Sequence, residues 1–196
     1  MPPAGPPILN IPNYLTVLRI LSIPLILIPL QYGRPRTSLW AAGIFSVAFF
    51  TDWLDGFIAR KKNLVTQFGK ILDPLADKLL IGGSLIMLIG LGWVEAWIGI
   101  LLIGREIAVT WLRSMLAARG FILAASKAGK YKTFSQALAM IPLMIHYRYA
   151  GFDFHLLGTV LLWIALFLTL WSGMEYFIRY YPLLTGKGTK GKKETG

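Results

Sequence analysis

Apolar residues along this chain form six long stretches, each close to the length of a membrane-spanning helix and each ended by a short polar segment. A helix needs roughly 20 mostly apolar residues to cross the hydrocarbon core of a bilayer. The pattern therefore predicts an all-α fold, a polytopic membrane protein with six transmembrane helices. The predicted spans cover approximately 13–30, 38–60, 73–92, 96–118, 133–147 and 154–181.

Proline and basic residues set several of these predicted boundaries. The third span is predicted to open at Asp73-Pro74, because proline suits the first helical turn, where its missing N–H would be unpaired anyway. The fifth span is short unless it begins nearer Gly129. Basic connections are expected over 60–70 and 119–132.

The distribution of positive charge predicts the orientation in the membrane. The chain has a formal net charge of +11, and its Lys and Arg residues cluster at the ends of the apolar stretches. That clustering favours an anionic membrane surface over nucleic acid as the partner. Cytoplasmic loops retain Lys and Arg. One side would hold Arg60, Lys61, Lys62, Lys70, Arg119, Lys127, Lys130, Lys132 and four tail lysines, and the other only Arg34, Arg36 and Arg148.

Both termini are therefore expected in the cytoplasm, in a protein of the cell (inner) membrane. Residues 1–184 are expected to form one membrane domain, and the basic tail over 185–196 is expected to be disordered. No removable signal peptide is predicted. The absence of cysteine excludes a thiolate metal site and a cysteine nucleophile.

The most informative polar residues are four aspartates, at the end of the second span and the start of the third: Asp52, Asp55, Asp73 and Asp77. Each intramembrane carboxylate costs about 2.5 kcal/mol or more. Residues three or four apart share a helix face, so two adjacent helices could present all four to one volume. Like charges this close need a cation, and hard oxygen ligands favour Mg²⁺, Mn²⁺ or Ca²⁺ over zinc.

Residues beside the first aspartate pair suit an anionic ligand. Gly56 and Ala59 fall on the face of the aspartates and leave space, and Arg60 can bind a phosphate in bidentate fashion. In the simpler alternative, the aspartates cap helices or pair with nearby lysines at the interface, namely Lys61, Lys62, Lys70 and Lys78.

These residues together resemble the complete signature of the CDP-alcohol phosphatidyltransferase family. The matching stretch is Asp52-Trp-Leu-Asp55-Gly56-Phe-Ile-Ala59-Arg60, eight residues, Gly69, three residues, Asp73, three residues and Asp77. The resemblance implies a six-helix membrane fold, a homodimer and an active site that faces the cytoplasm.

The resemblance also implies a role for each matched residue. Asp52, Asp55 and Asp73 would bind divalent metal, expected to be two ions of Mg²⁺ or Mn²⁺, and Asp77 would act as general base and also touch metal. A second set would hold the cytidine nucleotide: Gly56, Ala59, Arg60 and Gly69.

Further segments resemble the bacterial branch of this family that makes phosphatidylglycerophosphate. They are Asn10-Ile-Pro12-Asn13-Tyr-Leu-Thr16 with Arg19, Gly104-Arg105-Glu106-Ile107 with Arg113, and Gly129-Lys130 with Lys132-Thr133. The substrates would be CDP-diacylglycerol and glycerol 3-phosphate, whose phosphate would bind Arg105, Arg113, Lys127 and Lys130.

Simpler interpretations of these residues stay open. Arg105 and Glu106 form a structural pair between helices, Arg113 extends to the interface, the lysines are ordinary cytoplasmic charge, and Asn13 and Thr16 mark a helix start. The same chemistry with inositol phosphate, serine or phosphatidylglycerol as acceptor is an alternative. A divalent-cation transporter is another, motivated by the same intramembrane carboxylates.

Overall fold

Over the part of the chain that the structure describes, the fold is all-α with six helices, as the hydrophobic pattern predicts. The computed structural model describes the backbone of residues 11–62, 67–120 and 127–184, and the side chains at 14, 16–52, 72–120 and 132–183. The helices are α1 (Ile11–Leu30), α2 (Pro35–Lys62), α3 (Gln67–Gly90), α4 (Ala96–Ala118), α5 (Lys127–Ile145) and α6 (Phe154–Leu184). The tail over 185–196 lies outside the described residues.

The predicted start of the third helix is wrong. α3 begins at Gln67, so Pro74 lies inside the helix. Proline removes one backbone hydrogen bond there, and polar groups of neighbouring helices commonly compensate in membrane proteins. Asp73 and Asp77 consequently stand one turn apart on an established helix. α5 likewise begins at Lys127, before the predicted start, so both basic connections are shorter than expected.

Helix α1 lies between α2 and α3, the two helices that carry the four aspartates. It packs against both α2 and α3, whereas α2 and α3 make no comparable contact with each other in the described part of the chain. α5 packs against α6, α2 and α3, and α4 packs mainly against α6. The main core contains buried side chains from all six of these helices, including Ile26, Phe45, Leu88, Leu102, Met140 and Leu162. The expected pairing of α2 with α3 is therefore mediated by α1.

The helices differ in how apolar they are. By length and composition, one stretch among the described residues, Phe154–Leu183, can cross a membrane, with a mean hydropathy of 2.0 over its window. A shorter apolar stretch covers Thr16–Leu30. Large apolar side chains nevertheless point outward from several helices, for example Trp40, Ile100 and Phe167. Such extensive apolar exposure is unusual for a soluble monomer and suits contact with lipid.

The short connection between α5 and α6 forms a β-hairpin, which was not predicted. Strand β1 (Arg148–Tyr149) pairs antiparallel with β2 (Phe152–Asp153). The Tyr149 hydroxyl donates to the Pro35 carbonyl at 3.1 Å, which ties this hairpin to the turn between α1 and α2. The backbone N–H of Leu156 and the Arg148 guanidinium donate to Asp153 and hold the pKa of its carboxyl below the usual range.

Gly158 permits close packing between α5 and α6. A Cβ at this position would lie 2.7 Å from the backbone nitrogen of Leu143. We expect Gly158→Ala to destabilise the protein by about 1–3 kcal/mol, because the backbone must shift to admit the methyl group. Thermal unfolding in detergent measures this effect.

The matched control is Gly104→Ala in α4, where an added Cβ meets nothing within 4 Å. This variant should be neutral or slightly stabilising, since alanine favours helix over glycine. Equal unfolding temperatures for the two variants would show that close α5–α6 packing does not depend on Gly158.

Candidate active site

A buried arginine on α1 joins two of the predicted metal ligands. The Arg19 side chain is only 4% exposed. One of its Nη groups donates to Asp77 on α3 at 3.0 Å, and the other forms an ion pair with Asp52 on α2. One guanidinium therefore binds carboxylates from two different helices.

Thr16 lies one turn before Arg19 on the same face of α1. Its side chain is buried, and its hydroxyl donates to Asp73 on α3. Three of the four predicted aspartates, Asp52, Asp73 and Asp77, thus converge on one face of α1. The Asp55 side chain lies outside the described residues.

The residues predicted to bind the nucleotide lie on α2 and α3, the helices that carry the aspartates. The backbone of α2 carries Gly56, Ala59 and Arg60, and that of α3 carries Gly69. Their side-chain surroundings lie outside the described residues, as do those of Lys127 and Lys130 on α5. Their binding roles therefore stay predictions.

Sequence reasoning missed the position of Arg19 at the centre of this group. It considered Thr16 as a possible helix start and placed Arg19 only within a motif. A signal was available, because an arginine inside an apolar helix needs an anionic partner. The chain has only nine acidic residues, and four of them are the signature aspartates. That scarcity already favoured an ion pair between Arg19 and the aspartate group.

Carboxylate oxygens have the chemistry that a hard divalent cation binds. Asp52 and Asp77 direct oxygens at one cationic group, so the place between them already accommodates positive charge. Among the side chains that the structure describes, no three acidic or imidazole groups are arranged as ligands of one ion. In this arrangement Arg19 binds Asp52 and Asp77, and Thr16 binds Asp73. A divalent cation would therefore compete with Arg19 for the same oxygens.

A second polar cluster joins α4, α5 and α6. Arg105 donates from Nε to the Thr169 carbonyl at 3.0 Å and from Nη2 to the Ser172 hydroxyl at 2.7 Å. Glu106 forms ion pairs with Arg105 and with the buried Lys132. These contacts match the alternative in which Arg105 and Glu106 join helices.

Positive charge is nevertheless in excess in this region. Arg113 donates to the Tyr176 hydroxyl at 3.1 Å, and Lys78 donates to Thr110 at 2.8 Å. The charge of Lys132 lies close enough to those of Arg105 and Lys78 to be repelled by them. The same holds for Arg105 and Arg113. Glu106 is the one acidic side chain paired with this group in the described part of the chain.

Lys78, Arg105, Arg113 and Lys132 form a cationic group, and Lys78 directly follows Asp77 in α3, so this group includes a residue of the helix that carries two of the aspartates. Two of its members, Arg105 and Arg113, were predicted to bind an acceptor phosphate. Lys78 and Lys132 were not among the predicted phosphate ligands; Lys78 was considered as a partner of the aspartates, and Lys132 as ordinary cytoplasmic charge. A region with several cations and one carboxylate can attract a small anion.

Comparison with known proteins gives a consistent result. The sequence model of the CDP-alcohol phosphatidyltransferase family matches residues 9–171. Proteins of this family generally depend on a divalent metal. The family match includes all four aspartates, the matched glycines and Arg19.

Several curated relatives align over most of their length. A CDP-diacylglycerol--glycerol-3-phosphate 3-phosphatidyltransferase of Bacillus subtilis is 43% identical over 190 residues, covering 89% of this chain and 97% of the relative. A protein of the same name from Rickettsia bellii is 42% identical, covering 86% of this chain and 93% of the relative. A probable phosphatidylglycerophosphate synthase of Mycobacterium tuberculosis is 39% identical, covering 88% and 82%.

Proposed function

Since this chain belongs to the CDP-alcohol phosphatidyltransferase family, we propose that it transfers a phosphatidyl group from CDP-diacylglycerol to glycerol 3-phosphate, giving phosphatidylglycerophosphate and CMP. The observation that carries this proposal is the convergence of Asp52, Asp73 and Asp77 on one face of α1. The names of the relatives support the choice of substrates.

Asp52, Asp55, Asp73 and Asp77 would hold the divalent cations, two ions of Mg²⁺ or Mn²⁺. When bound, the cations would offset negative charge on the diphosphate and on the departing CMP. Arg19 then has two roles. It neutralises Asp52 and Asp77 in the arrangement described here, and after it leaves at least one carboxylate its guanidinium is placed to bind a phosphate oxygen.

Asp77 is the proposed general base. Its carboxylate accepts the proton of the acceptor hydroxyl while that oxygen forms a bond to the phosphorus that carries the diacylglycerol. The bond from this phosphorus to the oxygen bridging to CMP breaks, and CMP leaves with the bonding electrons. Arg60, with Gly56, Ala59 and Gly69, would hold the nucleotide. No covalent enzyme intermediate is needed.

The cationic group formed by Lys78, Arg105, Arg113 and Lys132 marks the proposed region for the acceptor phosphate. Arg105 and Arg113, with Lys127 and Lys130, would bind the dianionic head of glycerol 3-phosphate. The excess of positive charge supports this assignment, because the paired carboxylate of Glu106 neutralises only part of it. The contacts of Arg105 with Thr169 and Ser172 would hold its guanidinium in place for that ligand.

The proposal includes a membrane arrangement. The protein would be a homodimer in the cell (inner) membrane. In each chain all six helices would span the membrane, with both termini and the active site in the cytoplasm. The outward-facing apolar side chains support contact with lipid. The uneven distribution of Lys and Arg supports the orientation.

The direct test supplies purified protein with CDP-diacylglycerol, Mg²⁺ and one acceptor at a time: glycerol 3-phosphate, inositol phosphate, serine or phosphatidylglycerol. We expect CMP release with glycerol 3-phosphate and none above background with the others. CMP release with another acceptor, and none with glycerol 3-phosphate, would show that the proposed acceptor is wrong.

A parallel measurement addresses the transporter alternative. Protein reconstituted in vesicles should give no Mn²⁺ flux, because Arg19 lies between carboxylates that a cation path would need. Absence of CMP with every acceptor, together with Mn²⁺ flux, would overturn the enzyme assignment.

A further inference from the structure

One face of α6 holds both of the arginines that were predicted to bind the acceptor phosphate. Thr169, Ser172 and Tyr176 are spaced three or four residues apart, so they share this face of the helix. The Thr169 carbonyl and the Ser172 hydroxyl accept hydrogen bonds from Arg105 at 3.0 and 2.7 Å. The Tyr176 hydroxyl accepts one from Arg113 at 3.1 Å. A single helix therefore holds both guanidinium groups.

Gly173 belongs to the same face and lies against the side chain of Arg105. It is buried, and a Cβ added there would lie 3.0 Å from both Cγ and Nε of Arg105. These distances are shorter than ordinary van der Waals contact, so even a methyl group would push the arginine away. Glycine disfavours helix relative to alanine, but a larger residue would occupy the place of Arg105. Gly173 therefore determines where the arginine side chain can lie.

The contacts with α6 also determine which part of the guanidinium faces a ligand. Nε and Nη2 form one edge of the planar group, and both donate to α6. Nη1 and the second N–H of Nη2 form a different edge, where Glu106 lies 3.4 Å from Nη1. The Arg105 side chain is only 10% exposed, so its neighbours restrict its movement. A phosphate would thus meet a pair of donors whose direction is set by α6.

The orientation of this group matters because of how arginine binds phosphate. The guanidinium donates two parallel N–H···O bonds of fixed geometry, whereas a lysine ammonium acts as a point charge on a flexible stem. A shift of about 1 Å in a binding group can lower the rate of an enzyme about 10²-fold. If Arg105 were displaced, it would keep its charge but lose the paired geometry.

We propose that Gly173 is a positioning residue for the acceptor: because it has no side chain, α6 can hold Arg105 in the orientation that binds the phosphate of glycerol 3-phosphate. The inference rests on the proposed function, because it concerns the acceptor of that reaction. Gly173 contacts neither substrate and acts through Arg105. Larger residues at this position accordingly weaken binding of the acceptor and leave binding of the lipid donor unchanged.

The test measures KM for both substrates in wild type, Gly173→Ala and Gly173→Val. For glycerol 3-phosphate, we expect KM to rise about threefold to tenfold with alanine and more than about tenfold with valine, since the larger side chain displaces Arg105 further. The kcat at saturating acceptor and the KM for CDP-diacylglycerol should stay within about twofold of wild type, because only acceptor binding is lost.

Gly158→Ala is the matched control on the same helix. Its added Cβ meets Leu143 and not Arg105, so it should lower stability without changing KM for glycerol 3-phosphate. A double-mutant cycle with Arg105→Lys provides a second control. Lysine keeps the charge but has no guanidinium for α6 to hold. In that background, Gly173→Ala should raise KM for the acceptor by less than about twofold.

Ser172→Ala tests the same role without adding volume to the packed interface. It removes the hydroxyl that accepts the Nη2 hydrogen bond of Arg105. KM for glycerol 3-phosphate should rise about twofold to tenfold, the range for one lost hydrogen bond. Because the substitution is small, this variant keeps the proposal testable even where Gly173→Val fails to fold.

The outcomes separate this inference from the proposed function. If wild-type protein releases no CMP, the proposed function fails. If wild type is active but Arg105→Lys leaves KM for glycerol 3-phosphate unchanged, the phosphate binds elsewhere and the positioning role fails. If Arg105→Lys raises that KM but the Gly173 and Ser172 variants do not, the positioning role is wrong. An equal effect of Gly173→Ala with arginine or lysine at position 105 would overturn it as well.

Discussion

Replacing Asp77 by Asn is expected to lower kcat for CMP release by a factor of about 10²–10⁴, the range for loss of a general base. The amide cannot take the proton of the acceptor hydroxyl. It still offers Oδ1 to the Nη group of Arg19, which donates to Asp77 at 3.0 Å in the wild-type protein. Helix content should therefore be unchanged, and kcat at saturating substrate is the measurement.

Asp153→Asn is the matched control for this substitution. Asp153 lies on the hairpin between α5 and α6, where it accepts the backbone N–H of Leu156 at 3.0 Å. Asparagine caps a helix about as well as aspartate, so activity should stay close to wild type. If Asp77→Asn retained wild-type kcat, another group would have to be the base.

Replacing Arg19 by Met is expected to destabilise the metal-free protein by about 3 kcal/mol, the lower end of the range for breaking a buried ion pair. The lower end applies because the side chains of Asp52 and Asp77 are 30% and 40% exposed. Methionine fills similar volume but leaves the two carboxylates without their shared cation. In EDTA the unfolding temperature should fall by roughly 6–12 °C.

Divalent cation should reverse much of this loss. Mg²⁺ can neutralise the carboxylates that Arg19 no longer binds, so it should raise the unfolding temperature of Arg19→Met more than that of wild type. Arg148→Met removes the exposed partner of Asp153 and serves as control. It should leave unfolding unchanged with or without Mg²⁺. Equal stabilisation of Arg19→Met and wild type by Mg²⁺ would contradict competition between Arg19 and metal.

The helices were largely predictable because their apolar runs are long and their breaks are polar. α4 ends where it was expected, at Ala118. The start of α3 was not predictable from proline alone. Pro74 also fits the interior of a membrane helix, and local preference does not decide between the two positions.

The aspartate group shows which part of the site could be predicted from the sequence. Spacing along α2 and α3 predicts that each pair shares a face, and Asp73 and Asp77 do lie one turn apart on α3. Spacing says nothing of which third helix lies between α2 and α3. That depends on packing of α1 against both, and so the contacts of Thr16 and Arg19 required the structure.

The cationic group shows a similar limit. Arg105 and Arg113 were predicted to bind phosphate from a motif, but their contacts with α6 through Ser172 and Tyr176 join residues more than sixty positions apart. Lys132 looked like ordinary cytoplasmic charge, yet it is buried against Glu106. Long-range pairing of this kind depends on how α4, α5 and α6 pack.

The proposed mechanism depends most on divalent metal binding at the aspartates that Arg19 joins. Anomalous scattering from crystals of the protein grown with Mn²⁺ and a CDP-linked lipid measures this directly. We predict a Mn²⁺ peak bounded by Asp52, Asp73 and Asp77, with the Arg19 guanidinium moved off at least one carboxylate. Saturating Mn²⁺ with no peak there, and Arg19 still between Asp52 and Asp77, would contradict the account.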